Sequence, residues 1–308
     1  MAPSGFDIAA IGEPLYELNQ QPDGRYLPGF GGDTLNVAIA ASRLGAHSAY
    51  VTRLGGDYFG DELMELMIRE RIDTSAITRD DQAPTGLYFV THAPQGHVFT
   101  YRRKGSAASL LSTADVSAAP SIFATKFLHA SGISQAISGT AAEAVSLAID
   151  LARKAGASVS YDTNFRPRLW SAAEAWPVIR AAASRANILK TSAEDSAALF
   201  GLTRPEQIAR HFLDLGSKSV VVTLGSDGVL LADAQGMARM PGHAVDAVDA
   251  TGAGDAFTGA MLAELAAGRA MVDAVIFANA AAALSTLGYG AIAPLPNRAA
   301  VMAFLARC

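Results

Sequence analysis

A chain of 308 residues, half of them hydrophobic and 17% charged, has enough apolar material for a sizeable buried core and is not a disordered or low-complexity protein. Its formal net charge of −5 comes from charges of both signs scattered along the sequence, and the absence of a basic block argues against nucleic acid as a partner. The single cysteine, Cys308, points to a reducing compartment, and with neither a signal-peptide pattern in MAPSGFDIAAIGE nor a charge-free run near the ~20 residues that span a bilayer, the chain reads as cytoplasmic with no membrane partner.

Short apolar runs alternate with longer amphipathic ones, the pattern of parallel strands joined by helices. In chain order the sequence predicts a strand over 6–11, a helix over 34–44 stopped by Gly45, a strand over 49–53 and a helix over 60–71. After a strand over 127–130 come a helix over 140–154 ended by Gly156, strands over 158–162 and 188–190, helices over 192–200 and 206–215, strands over 220–224 and 229–232, and helices over 254–267 and 271–287. Two stretches break the rhythm: 14–28 and 85–103 turn polar and aromatic with strand-like alternation, Leu87 and Phe89 against Tyr88 and Val90, then His97, Phe99 and Tyr101. They are expected to pair with each other as a small β flap, a lid of about 14–30 and 85–105 on one domain spanning 1–308. Leu87, Phe89, Phe99 and Tyr101 give that flap more apolar surface than a solvated one should expose, so a homo-oligomer, dimer or higher, is expected through it.

The segment DATGAGDAFTGA, 249–260, places three glycines ahead of an apolar helix. Unpaired backbone N–H groups of Gly252, Ala253 and Gly254 at a helix N-terminus, with the positive end of the helix dipole behind them, make a site for a phosphate. A carboxylate in that turn repels a resting phosphate, but Asp255 beside a phosphoryl group in transfer can take the proton of an attacking hydroxyl. The alternative, an acid that only favours the helix dipole above a tight turn, stands open on the turn alone. Neither G-x-x-x-x-G-K-[ST] nor a G-x-G-x-x-G after the first strand occurs, which excludes a P-loop kinase and a dinucleotide fold. The six histidines show no paired metal spacing, so zinc is not expected.

A second glycine cluster, GFGGDTLNVAIAASRLG at 29–45, also leads into a helix. The pair of motifs resembles the ribokinase-like (PfkB) carbohydrate kinases across essentially the whole chain, and GFGGDTLN, TGLYF, YRRKGSA, ASGIS and DTNFRPRLW are similar to the 2-keto-3-deoxygluconate kinases within that family. The resemblance implies a three-layer α/β/α fold with a mostly parallel sheet, and ATP-dependent phosphorylation of the keto-acid at its terminal hydroxyl with Mg2+. Asp255 would be the base. Gly32, Asp33 and Asn36 would meet sugar hydroxyls, with Gly31 shaping the turn. Asn164, Arg166, Tyr88, Tyr101 and Arg103 would hold the keto-acid, a guanidinium matching a carboxylate bidentately. Thr223, Gly225, Gly228, Gly252, Gly254, Ser192 and Asn279 would border the nucleotide, and Glu194 would orient water around magnesium, although Thr191 stands where the family usually has Asn. Whether K+ assists near Asp249 is left open.

Plainer readings accompany these. Asp33 and Ser192 also suit helix caps, Arg102, Arg103 and Lys104 a solvated basic turn, Arg166 a partner for Asp162, Asn279 an exposed helix position and Trp170 packing. A neutral-sugar kinase, for fructose or ribose, and a non-catalytic sugar or nucleotide sensor are the rival functions.

Overall fold

The computed structural model describes residues 5–21, 23–93 and 96–307, without the side chains of 92–97; the N-terminal residues 1–4, Cys308 and the side chains of His92 and His97 therefore lie outside the described residues. The chain opens with β1 (Ile8–Ile11), an apolar run IAAI that is buried throughout, as a central parallel strand covered on both faces requires. It leaves the main sheet for the ribbon of β2 (Leu15–Gln20) and β3 (Tyr26–Gly31), then returns through α1 (Asp33–Arg43), β4 (Ser48–Gly55), α2 (Tyr58–Arg69) and β5 (Ile77–Asp80). A second excursion forms the hairpin β6 (Leu87–Ala93) and β7 (Gly96–Arg102). Then follow α3 (Thr113–Ala118), β8 (Phe127–Ser131), α4 (Gly132–Ala136), α5 (Gly139–Ala155), β9 (Ser158–Asp162), α6 (Ala172–Ala183), β10 (Ile188–Ser192), α7 (Ala193–Phe200) and α8 (Pro205–Asp214). The chain closes with β11 (Ser219–Thr223), β12 (Val229–Asp233), β13 (Gly236–Met240), α9 (Ala253–Ala266), α10 (Met271–Ser285) and α11 (Arg298–Leu305).

One nine-stranded sheet runs in the order β13-β12-β11-β10-β9-β8-β1-β4-β5, parallel except where β12 pairs antiparallel with both β11 and β13 at one edge. Alternate residues of its strands face opposite cores: Ala9, Ile11, Ala49 and Val51 pack with α5, α6 and α8, whereas Ile8, Ala10 and Tyr50 pack on the side of α1, α9 and α10. The fold is thus the expected three-layer α/β/α arrangement. Among the described residues no helix is long and apolar enough to cross a membrane.

Local chemistry sets the element ends. Gly156 takes a left-handed φ of 89° to close α5, and Gly45 does the same after α1 at 100°. Asp57 accepts from Gly60 N at 2.8 Å, so α2 starts two residues before the predicted 60. α6 is not predicted by the sequence, where Pro177 interrupts the apolar pattern, yet it forms with a capping box between Ser171 and Glu174. β5, β13, α3, α4 and α11 are further elements that the sequence pattern does not predict.

The two irregular segments do pair with each other. They build a four-stranded sheet, β3-β2-β6-β7, whose seam is the parallel pair β2 and β6 with Glu17 opposite Tyr88. The four residues that make the flap apolar are split between its two faces. Tyr88 stands opposite Tyr101 and Val90 opposite Phe99, which places Phe99 and Tyr101 on one face, and the strand alternation turns Leu87 and Phe89 to the other, where Phe89 meets Tyr26 edge-on at 5.7 Å.

Candidate active site

The C-terminal ends of β9 and β10, the first turn of α9 and the turn after β11 surround a cavity of about 310 Å³, the place where a parallel sheet is expected to hold a ligand. Asp255 stands in that first turn and accepts from Asn36 Nδ2 of α1 at 2.8 Å. Beside it Asp33 Oδ2 accepts from Asn164 Nδ2 at 2.9 Å and from the Ser131 hydroxyl, so α1, β8 and the loop after β9 are tied together at one carboxylate. Asn164 reaches this position from a left-handed backbone at φ 35°, unusual for a residue with a side chain. Burial, reinforced by the charge of Asp33, pushes the Asp255 carboxyl up to about 7, against the pull of Asn36 and Lys190. A carboxylate poised there is matched to proton transfer at neutral pH.

The turn ahead of Asp255 is built as an anion cradle. Gly252 caps α9 at φ 75°, a conformation that favours glycine, and Asp249 braces the loop by accepting from Thr251 N and Gly290 N, both at 2.9 Å. One expected donor is already engaged: Ala253 N–H donates to Ala250 O at 3.2 Å within the turn, which leaves the N–H groups of Gly252 and Gly254 to meet an anion.

The model of the pfkB family carbohydrate kinases matches residues 7–298. The chain belongs to that family. It is 33% identical to the 2-dehydro-3-deoxygluconokinase of Thermoproteus tenax over 89% of this chain and 87% of that one. It is 36% identical to fructokinase-1 of Zea mays, over 90% of this chain and 88% of that one. Among solved structures, the fructokinase of Vibrio cholerae O395 in its fructose-, ADP- and calcium-bound form superposes with a TM-score of 0.89 at 32% identity, covering 98% of this chain and 99% of that one.

In this PfkB kinase the residues expected around the nucleotide meet in the one cavity: Ser192, Thr223, Gly225, Gly228, Gly252, Gly254 and Asn279 all line it, with Asn164 and Arg166 at its other end. Gly228 has a structural reason as well, since a Cβ there would overlap the backbone of Met240 and Gly242. Ser192 caps α7 by accepting from Asp195 N at 2.9 Å, as the plainer reading held. Asn279 Nδ2 donates to Pro241 O at 2.8 Å from the cavity wall. Gly32, rather than Asp33, is the N-cap of α1, so the Asp33 side chain is free for the site. Trp170 packs against the core.

Two of the plainer readings fail, the bond from Arg166 to Asp162 and the solvated turn for Arg103, and other residues gain partners. Glu194 lines the cavity with an exposed side chain, and its neighbour Asp195 turns inward, accepting from Phe165 N at 3.0 Å; burial and the charge of Asp162 hold the Asp195 carboxyl above its ordinary value. Arg166 approaches Asp195 at 3.6 Å and does not pair with Asp162, whose partner is Lys190. Arg103 is no free turn residue: it forms an ion pair with Glu13, which is 1% exposed and also accepts from Ser106 Oγ at 3.0 Å. Tyr88 donates its hydroxyl to Glu17, and its ring stacks on Tyr101 at 5.6 Å. Glu13 and Lys190 carry no local signal of a site, since each sits in an apolar run, and Asp195 signals only a helix cap with Ser192. A larger groove of about 1120 Å³, under the outer half of the lid between Leu27 and Tyr289, holds none of the predicted site residues.

Proposed function

We propose that this carbohydrate kinase transfers the γ-phosphoryl group of ATP to the terminal hydroxyl of a sugar acid, 2-keto-3-deoxygluconate, giving the 6-phosphate. The observation that supports the reading is the surroundings of Tyr101: the Arg103 guanidinium lies 5.4 Å from its ring centre and Arg166 is near enough to act on its hydroxyl, as are the acids Asp33 and Glu13. Two guanidinium groups beside an aromatic wall suit a carboxylate. In the reaction the sugar oxygen attacks the γ-phosphorus while its proton passes to Asp255, the bond from phosphorus to the bridging oxygen breaks, and ADP leaves. The N–H groups of Gly252 and Gly254 take up charge on the phosphoryl oxygens. Magnesium, when bound, neutralises phosphate charge; among the described residues no group of three His, Cys, Asp or Glu could hold it unaided, so it fits as an ion carried by the nucleotide, with Asp195 and Glu194 ordering its waters. A potassium ion beside Asp249 would bear on the phosphate turn through the bonds to Thr251 and Gly290.

A second reading has its own observation. Glu13 already balances the charge of Arg103, which leaves Arg166, with its side chain 49% exposed, as the less committed cation and makes a neutral ketose acceptable at the same place. A coupled assay over 2-keto-3-deoxygluconate, its galacto epimer, fructose and ribose separates the two. Under the proposal kcat/KM is highest for the keto-acid, and Arg166→Ala lowers it at least about tenfold for the acid while leaving fructose within about twofold. Preference for fructose would overturn the sugar-acid assignment and leave the kinase.

The lid also supports a dimer. Leu27 and Val98 are exposed at its edges, and Tyr26, Leu87 and Phe89 lie on the face away from Tyr88. Light scattering at micromolar concentration is expected to give twice the monomer mass, and Phe89→Asp to shift it toward the monomer, since a charge on that face loses more than it gains by burial. A wild-type monomer would end this expectation.

A further inference from the structure

Behind the turn that carries Asp255, one face of the sheet holds buried polar side chains to which the mechanism above gives no part. His129 Nδ1 lies 3.2 Å from Ser160 Oγ, and Lys190 Nζ donates to Asp162 Oδ2 at 2.7 Å. The last two side chains are only 8% and 3% exposed. An ion pair at that depth must offset the desolvation of both partners, and apolar side chains of similar volume would serve stability as well, so the pair calls for a reason at the site.

Its position supplies one. A Cβ on Gly254 would come within 3.0 Å of Lys190 Nζ, which sets the ammonium against the turn that receives the phosphoryl group, in the cavity that Asp255 lines. Carboxylates act on it from three elements: Asp162 of β9, Asp195 of α7 and Asp255 of α9. Asp33 of α1 adds its charge at Asp255, and His129 of β8 brings none at neutral pH, since burial pushes its imidazole down to about 4. Among the described residues, Lys190 is the only lysine or arginine in the buried set. Four acids thus surround a place that is to receive a polyphosphate, with Glu194 on the exposed rim of the same cavity; against them stand the buried Lys190 and the half-exposed Arg166, which lies 3.6 Å from Asp195.

Resting on the sugar-kinase reading but not on the identity of the sugar, we infer that Lys190 is a positioning residue for phosphoryl transfer, held by Asp162 so that its ammonium balances Asp255 and the nucleotide phosphates in one site. Burial works hardest against that ammonium, yet Asp162, Asp255 and Asp195 together outweigh it and hold Lys190 above its ordinary value, so the charge persists through the working pH range. Without it, each phosphate that enters the turn would make the ionised form of Asp255 harder to keep, and the base would be protonated where it is needed.

The test compares wild type, Lys190→Met and the double variant Lys190→Met/Asp162→Asn, the last leaving no unpaired buried carboxylate. Melting temperature, KM for ATP and kcat/KM are measured from pH 5.5 to 9.5 with whichever sugar the wild type turns over best. Removing a positive charge near Asp255 raises its proton affinity, so the acidic limb of kcat/KM should move to higher pH in Lys190→Met, and less far in the double variant, where the Asp162 charge that also raises Asp255 is gone. The deficit should be about tenfold or more at pH 6, shrinking toward pH 9, with KM for the sugar within about twofold of wild type. A deficit in Lys190→Met equal at all pH values, with the acidic limb unmoved, or failure of both variants to fold would each reduce Lys190 to a structural clamp for Asp162 and overturn the inference. A wild type inactive with every sugar would instead overturn the kinase reading, a result distinct from these.

Discussion

Asp255→Asn is expected to lower kcat by ~10²- to 10⁴-fold while ATP and sugar binding stay near wild type, the loss typical of a missing general base. The substitution keeps volume and still offers an oxygen to Asn36 Nδ2, which now donates to Asp255 at 2.8 Å, so the ties among α1, α9 and the sugar floor should survive. Steady-state kinetics and calorimetric titration of each substrate check it; a variant retaining more than about a tenth of wild-type kcat would remove Asp255 from the role of base. The same carboxyl dictates the acid limb of the wild type. With the Asp255 carboxyl near 7 in the free protein, kcat/KM should rise as pH climbs through that region, and Asp255→Asn should lose this limb. Stability runs the other way. A carboxyl raised above its ordinary 3.8 binds its proton more tightly folded than unfolded, so its contribution is fully present below pH 3.8 and is lost as pH rises to about 7. The protein gains its base over the range in which it gives up part of its stability.

Arg103→Ala should have the second large effect, in two separable parts. Removing one partner of a buried ion pair typically costs about 3–5 kcal/mol, because the survivor is left in an apolar setting without its counter-charge. Here the survivor is Glu13, already held above its ordinary value by burial even with Arg103 and Ser106 pulling it down. Without Arg103 it should climb further and take up a proton, so the stability deficit should be mild at pH 5 and grow toward pH 8. Adding Glu13→Gln should recover most of the melting temperature. If Arg103 also holds the substrate, KM for 2-keto-3-deoxygluconate should stay at least about tenfold raised in the recovered double variant, with KM for ATP unchanged. Recovery of both together would mean that Arg103 only latches the lid and that selection of the acid falls to Arg166.

The sheet was legible because its strands are pure apolar runs bracketed by helices that glycines end, as Gly45 and Gly156 do. The phosphate turn was legible for a related reason: glycines ahead of an apolar helix have few uses, and an acid among them has fewer. Pairing was not legible. Arg103 in YRRKGSA looks like a solvated turn or a substrate ligand, and nothing in the local pattern points to Glu13 ninety residues earlier. Lys190 lies in a strand of the sequence ILKTS, where a single cation reads as an edge position until β9 places Asp162 beside it. Glu194 and Asp195 are adjacent acids, and only the cap from Ser192 decides which of them turns inward. Charge partners brought together by a parallel sheet leave no periodic trace in the chain.

The junctions of the lid are as telling as its strands. β3 runs into α1 through Gly32 alone, and a Cβ there would overlap the backbone of Glu13, so the strand entering the lid and the strand leaving it cross at van der Waals contact directly beneath Asp33. Arg103, just past the last lid strand, is anchored to Glu13 at the same crossing. The lid thus meets the main sheet beside the carboxylate that joins Ser131 to Asn164. A shift of β3 against β2 at this junction would bear first on Gly32 and Glu13, where neither backbone has room to give.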